Sequence, residues 1–553
     1  MSFKVWNNPL VVSAMRLRYR RGSPRLMLSS YVAAMLGIGA LLNHLSNLHG
    51  FPFASVYLLV LLSVQFLLSG GIALFGTAKS MHAEVANQTL DFQRIVSLSP
   101  RSILIGKMLG EPASSYLLAA ATLPLAAFCW SKSGASGVVI LLFYVNLATW
   151  TLMCASLGLL HPLTAPSGRT ARQRGGAGLF IFLAVIFLPN FLVNGAAMLE
   201  VPGAGDAVQL LTPLGSLIRF YQGDAFAAQV TLWNFSVPSL IAAPLAQIGV
   251  VATIVAGMSQ KLTNPIDPPL SKIRGYATLG VIDLVLAGIC LSHVDRPHPA
   301  PHLFFCYFLS HFLACVALLF GMVPNRAALA SWAWRHSARR PTVIEKMWGR
   351  RLEVGAAAII FCTIGAAVFA GAFMIPAAVE QAAASAAQTE VGADASAPLG
   401  SAAILSAWLP EFAKVLAATA AFTLSAAMVQ QLLAAAVSKS ATALYVFYLF
   451  AINALPPIIA SVLEAWWQNG GASFDAAPTL VSLSPIGYYV TNLSYVSGAY
   501  LDIAWPALLH LFLAALAGWR LHRLRRREHA DVRRKLQQMG VGEQSVALAS
   551  TGR

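Results

Sequence analysis

The sequence predicts an all-α fold, a polytopic transmembrane helix bundle of about 12 spans arranged as two six-helix groups. Three observations carry this. The chain is 57% hydrophobic and only 10% charged, where soluble chains carry about 25% charged residues. Its apolar residues fall in blocks of about 18 to 27, the length a helix needs to cross about 30 Å of hydrocarbon. Barrel strands would alternate apolar and polar residues instead, and in lipid a helix satisfies its backbone groups within itself. The third observation is charge placement. With the N-terminus in the cytoplasm and each block crossing once, only Lys132, Arg219, Arg296 and Lys414 of the 37 Lys and Arg residues fall outside. This positive-inside asymmetry supports the even span count and puts both termini in the cytoplasm, as in a bacterial inner membrane. The net charge of +16 is therefore topological. It attracts anionic lipid of the bilayer and does not indicate a nucleic-acid partner.

Residues 1–25 open the chain. Val5 to Arg21 carries a broad apolar arc interrupted by Ser13, Arg16 and Arg20, the pattern of a helix lying on the inner membrane surface. The first apolar block lacks a small-residue cleavage pattern and reads as a retained anchor. Blocks follow at about 26–48, 53–76, 103–129, 137–160, 177–199 and 237–258, forming a first unit over 26–260. A second unit over 261–520 holds blocks at about 276–293, 303–323, 354–377, 409–436, 441–465 and 502–520. Residues 378–403 are rich in Ala, Ser and Gly and read as an outside loop or a short amphipathic helix. Residues 521–553 read as a basic cytoplasmic tail. Two short echoes suggest duplication, a common origin of transporters. Leu211-Thr212-Pro213-Leu214-Gly215 matches Leu483-Ser484-Pro485-Ile486-Gly487, each in a predicted outside loop. Ile105 to Gly110 matches Ile344 to Gly349 at the bases of the third and ninth spans. The six cysteines lie in or beside apolar blocks without metal spacing and read as packing residues.

The most informative stretch follows the second span, at 79–101. On a helical wheel Glu84, Asn87, Gln88, Asp91 and Arg94 share one arc of about 120°, beside a stripe of Val85, Phe92 and Val96. This predicts an amphipathic cytoplasmic helix, ended by Ser99-Pro100, where Pro opens the next helix without losing a needed N–H. Glu84, Thr89-Leu90, Leu98-Ser99-Pro100-Arg101 and Gly106-Lys107 together resemble the type-2 permease family of ATP-binding-cassette (ABC) exporters. Asn8-Pro9-Leu10 resembles the start of that family's N-terminal interfacial helix, and Pro213 to Gly215 its turn before the sixth span. The resemblance covers about residues 7–260. Gln88 stands where a Gly is common, and the loop Arg326 to Arg351 lacks the Thr-Leu and Ser-Pro-Arg elements.

The resemblance implies a membrane-spanning subunit with motor-coupling residues Glu84, Thr89, Leu90, Asp91, Ser99, Pro100, Arg101 and Lys107. Its partner would be a separate ABC-type ATPase, two copies per chain, carrying the ATP and Mg. The chain itself has no Gly-x-x-x-x-Gly-Lys-Ser/Thr phosphate loop and no HExxH or GxSxG motif, so no catalytic residue, cofactor or metal is assigned to it. Within the spans Asp283, Glu111 and Asn146 are candidates for a substrate path, with Gln247, Gln430, Gln431 and Asn453 as further polar positions. Each also suits plain interhelical hydrogen bonding. Glu411 and Lys414 are spaced to pair on one helix, and His293, His298 and His302 flank Asp295 in an outside loop. The alternative function is an ion-coupled 12-span secondary transporter using an intramembrane carboxylate. The transported substrate is not legible in these residues.

Overall fold

The computed structural model describes residues 8–19, 23–87, 89–90, 99–133, 137–164, 229–233, 235–291, 300–324, 326–335, 342–349, 352, 354–374, 401–436, 441–468, 477–494 and 504–538. They are helical almost throughout. Eleven of the described helices are long and apolar enough to cross a membrane, so the chain is an all-α, multi-pass membrane protein. The expected span at about 177–199 lies outside the described residues, as do Pro213 to Gly215, Asp91, residues 378–400 of the segment read as an outside loop or short helix, and the tail beyond 538; residues 401–403 are helical. Contacts divide the chain into two compact units. The first comprises Met1–Ala197, Ala204–Thr231 and Phe235–Asn264, and the second Met198–Gly203, Leu232–Asn234 and Pro265–Arg553.

In the first unit the helices are α1 (Pro9–Tyr19), α2 (Ser23–His49), α3 (Phe53–Ala86), α4 (Pro100–Gly110), α5 (Ala113–Ser133), α6 (Gly137–Thr164) and α7 (Ser239–Thr263). A two-stranded sheet, β1 (Gln229–Leu232) with β2 (Phe235–Pro238), precedes α7. Helix α3 is the axis of this unit and packs against α5 and α6. Small residues permit the close approach, as in membrane helix pairs generally. A Cβ on Gly70 would lie 2.6 Å from the Trp150 indole nitrogen, and one on Gly158 would run into Thr77 and the Leu74 carbonyl. The Thr77 hydroxyl lies 2.7 Å from the Ala73 carbonyl and 3.0 Å from that of Ala155 on α6. Phe66 packs on Trp150 with ring centroids 4.7 Å apart, among buried Leu58, Leu61, Leu62, Phe143 and Leu147.

Two departures from the expected spans matter for function. Helix α3 has 34 residues, a rod of about 51 Å at about 1.5 Å per residue, against about 30 Å of hydrocarbon. The helix thus runs unbroken from a span through Ser80 and Glu84. The predicted third span is two helices: α4 stops at Gly110, Glu111 caps it through its N–H to the Lys107 carbonyl at 3.0 Å, and α5 resumes after Pro112. Pro112 has no N–H to continue the ladder, which accounts for the break.

In the second unit the helices are α8 (Lys272–Leu291), α9 (Ala300–Met322), α10 (Arg326–Arg335), α11 (Val343–Trp348), α12 (Gly355–Phe369), α13 (Ser401–Ala436), α14 (Ala441–Gln468), α15 (Ala477–Ser482), α16 (Pro485–Ser494) and α17 (Ala504–Gln538). Its core is aromatic: Tyr307, Phe308, Phe312, Phe369, Phe422, Tyr488 and Tyr489 are all buried. The echo at Ile344 to Gly349 is a separate short helix, α11, opened by a Thr342/Glu345 capping box. The buried Lys272 ammonium donates to the Lys346 carbonyl and the Tyr276 hydroxyl to that of Met347 at 2.7 Å.

The second Ser-Pro-Ile-Gly turn is not an open loop. Ser484 caps α16 by accepting from the Gly487 N–H at 2.8 Å, and Ser482, Ser484, Tyr488 and Tyr489 are buried. The Asn453 side-chain oxygen accepts from the Ile486 N–H at 3.1 Å, one turn before the Pro456-Pro457 pair inside α14. His510 of α17 sits 3.2 Å from the Leu483 carbonyl through Nε2 and 2.7 Å from Ser425 Oγ through Nδ1. A carbonyl only accepts, so Nε2 carries the proton and Nδ1 accepts from the serine.

Candidate functional site: a braced lever and intramembrane polar clusters

The expected coupling residues converge at the end of α3 and the start of α4. Ser99 caps α4, its hydroxyl accepting from the Ser102 N–H at 3.1 Å with Pro100 at the first helical position. Two turns on, Lys107 is almost fully buried. Its ammonium lies 2.7 Å from a Glu84 carboxylate oxygen and 2.6 Å from Ser80 Oγ, both on α3. Lys107 and Glu84 have 7% and 18% of their side-chain surface exposed. The pair is thus an internal brace, largely screened from water, that ties the projecting end of α3 to α4. Thr89 donates to the Glu84 carbonyl at 3.3 Å and is otherwise exposed. Leu90 is buried against the first unit's core, and Arg101 is exposed. Of the eight expected coupling residues, Glu84 and Lys107 face each other, Leu90 packs, Ser99 and Pro100 shape the turn, and Thr89 and Arg101 lie on the surface.

A second brace comes from the N-terminus. Asn8 caps α1 through its side-chain oxygen, which accepts from the Leu10 N–H at 3.0 Å, and donates through Nδ2 to the Ser102 carbonyl at 2.8 Å. Gly106 and Gly110 lie four apart on α4 and face α1. A Cβ on either would meet Leu10 or Ala14 at 2.9 Å. Val11 is buried in this contact. The Gly-x-x-x-Gly spacing lets the two backbones approach. This pairing was overlooked in the sequence, where Gly106 was noted only beside Lys107. Spacing alone would have found it.

Deep in the second unit, Asp283 of α8 meets His311 of α9. The Asp283 Oδ1 to His311 Nδ1 distance is 2.8 Å, and both side chains are fully buried. A carboxylate accepts, so the imidazole N–H is fixed on Nδ1, leaving Nε2 turned toward the Cys315 thiol at 3.3 Å. The ring stacks on Tyr307 with centroids 6.3 Å apart and lies so close to Gly365 of α12 that a Cβ there would clash with it. Asp283 Oδ2 has no hydrogen-bond partner among the described residues. A lone charge at this depth is costly, and the pairing explains its tolerance. His311 and Cys315 are spaced i, i+4, but neither stood out in the sequence, because a single His in an apolar block is uninformative without its neighbour helix.

The remaining candidates separate. Asn146 belongs to an interhelical amide network: Gln247 of α7 donates to its side-chain oxygen at 2.9 Å, and Thr149 donates to Gln247 at 2.6 Å. All three are buried, an arrangement that suits interhelical hydrogen bonding. Glu111 stands at the α4–α5 break, partly buried. Gln431 donates to the Pro324 carbonyl at 3.3 Å. Lys414 is exposed, while the side chains of Glu411 and His302, and residues 293, 295 and 298, lie outside the described set. Among the described residues no group of three or more His, Cys, Asp or Glu is placed to hold a metal ion. No family model, curated protein or solved structure matches this chain, so its function is argued from its own residues.

Proposed function

We propose that this chain is the membrane-spanning permease subunit of an ABC-type exporter, moving its substrate by alternating access driven by a separate ATPase. The observation that carries the reading is mechanical. A push on a flexible loop is absorbed, whereas a push on a rod is transmitted. Here α3 leaves its span as continuous helix, and its end is held to α4 by a largely buried ion pair and to α1 through α4. Thr89, just beyond the end of α3, and Arg101, in the first turn of α4, are exposed and supply the surface that a motor protein would press. In this reading the segment faces the cytoplasm of the inner membrane, two ATPase subunits bind ATP and Mg, and their closure rocks the helices as rigid groups. The absence of a phosphate loop in the sequence fits a permease without its own hydrolysis. The test is reconstitution of the full chain with the ATPase that copurifies with it. Hydrolysis stimulated by the chain and reduced by Arg101→Glu is expected; hydrolysis unaffected by the chain would refute the proposal.

The Asp283–His311 pair supports a second reading, an ion-coupled transporter. A buried carboxylate with one oxygen unpartnered among the described residues and an imidazole at 2.8 Å is chemically equipped to take up and release a proton. That reading requires gradient-driven transport by the chain alone, abolished by Asp283→Asn.

A further inference from the structure

The last spanning helix carries a surface pattern that neither functional reading uses. On α17, Trp505, Leu508, Phe512, Leu516 and Trp519 are all exposed. Their spacings of three and four place them in one arc of about 100° on the helix wheel. The opposite side carries the buried residues His510, Ala514, Ala517 and Leu521. The apolar arc is therefore the lipid-facing side. Continued along the same helix without a break, that same arc is occupied by Arg523, Arg526 and Arg527, all exposed. Arg525, which falls outside the arc, turns inward instead, its guanidinium 5.9 Å from the Trp332 ring of α10.

The axial spacing matches a bilayer. The three arginines lie about 27 to 33 Å beyond Trp505 at about 1.5 Å per residue, close to the about 30 Å of the hydrocarbon core. Trp519 precedes them by about 6 to 12 Å, so with Trp505 at one edge of the span the arginines reach the other. The Arg523 guanidinium lies 3.9 Å from the centre of the Trp519 ring, and that of Arg520 5.2 Å. Stacking on an exposed indole holds the plane of a guanidinium while leaving its N–H edge open, the edge that matches two phosphate oxygens.

We propose that Trp519, Arg523, Arg526 and Arg527 form a docking site for the phosphate of an anionic phospholipid, seated against the lipid-facing side of α17. The occupant follows from charge and position: three cations lie in line with an apolar stripe, at headgroup depth, on the surface a lipid already covers. The proposal does not depend on what the chain transports.

The test uses the full chain purified in detergent with equal amounts of phosphatidylglycerol and phosphatidylcholine, and counts retained lipids by native mass spectrometry. The natural chain is expected to retain the anionic lipid over the zwitterionic one by about tenfold or more. The triple variant Arg523→Gln, Arg526→Gln, Arg527→Gln should fall to within about twofold of no preference. The double variant Lys132→Gln, Lys414→Gln, which removes exposed charge elsewhere, should keep it. A natural chain with no preference, a triple variant that matches it, or a double variant that loses as much would overturn the proposal. So would a triple variant that keeps its lipid preference but no longer copurifies with an ATPase, since the basic face would then dock protein. Should the triple variant not fold, a salt titration of the natural chain decides. The preference should drop severalfold by about 0.5 M salt, where charge screening is short-ranged, and a salt-independent preference would refute the site.

Discussion

Replacing Lys107 with Met keeps most of the apolar stem of the side chain and removes its charge. It takes away the ammonium that lies 2.7 Å from the Glu84 carboxylate, a group that keeps only 18% of its exposure. Removing one partner of a buried pair costs about 3–5 kcal/mol. Glu84 keeps some contact with water, so the lower end applies, about 3 kcal/mol or roughly a hundredfold in the folding equilibrium. Glu84→Gln should cost somewhat less, because the Lys107 ammonium retains Ser80 Oγ at 2.6 Å. The double variant removes both charges and should lie within about 1 kcal/mol of the natural chain, a coupling of about 4 kcal/mol. Unfolding of the purified chain in mixed micelles measures all four proteins, and ATPase copurification is read on the same samples. If Glu84 acts through the brace, copurification falls in each single variant and returns in the double one. Additive single effects, or singles within about 0.5 kcal/mol of the natural chain, would refute the brace. Loss of the ATPase in the double variant would mean that Glu84 touches the motor itself.

Three further outcomes are expected. Gly106→Leu should undock α1, because even a Cβ there meets Leu10 at 2.9 Å; limited proteolysis should then cut near residues 15–22 while the spans stay intact, and an unchanged digest would contradict the packing. Gln247→Leu removes two hydrogen bonds from Asn146 and Thr149 and should cost about 0.6–1.7 kcal/mol with transport unchanged; lost transport at normal stability would return Asn146 to the substrate path. Asp283→Asn should destabilise the second unit by about 2–4 kcal/mol, since it replaces the charged partner of a buried imidazole, yet leave ATP-driven transport intact; gradient-driven transport lost in this variant without any ATPase would favour the ion-coupled reading.

The helical class was legible because lipid leaves the backbone few options, and long apolar blocks report it directly. Span ends were less legible. Nothing in composition distinguishes Lys79 to Ala86 as a continuation of α3 from a separate helix, because polar residues are tolerated on a helix that has left the hydrocarbon. The wheel grouped Glu84 with other polar residues, but an amphipathic arc does not say whether water or a buried Lys107 faces it. That partner lies on the next helix, and only packing pairs them. The same holds for Asp283. Its depth was legible, whereas His311 became meaningful only when α9 was set against α8. The span count placed the turn at Leu483 to Gly487 in an outside loop and said nothing of its burial; burial there is made possible by Asn453 and His510, which satisfy backbone groups that would otherwise be left to water.

The most direct test of the lever is photo-crosslinking from a probe at Thr89 in native membranes, with a second probe at the buried Leu90 as control. The account expects Thr89 to capture a protein bearing a Gly-x-x-x-x-Gly-Lys-Ser/Thr loop, with Leu90 crosslinking only within the chain. Capture of no such protein from Thr89, or labelling of that position by an impermeant reagent from outside the cell, would contradict it.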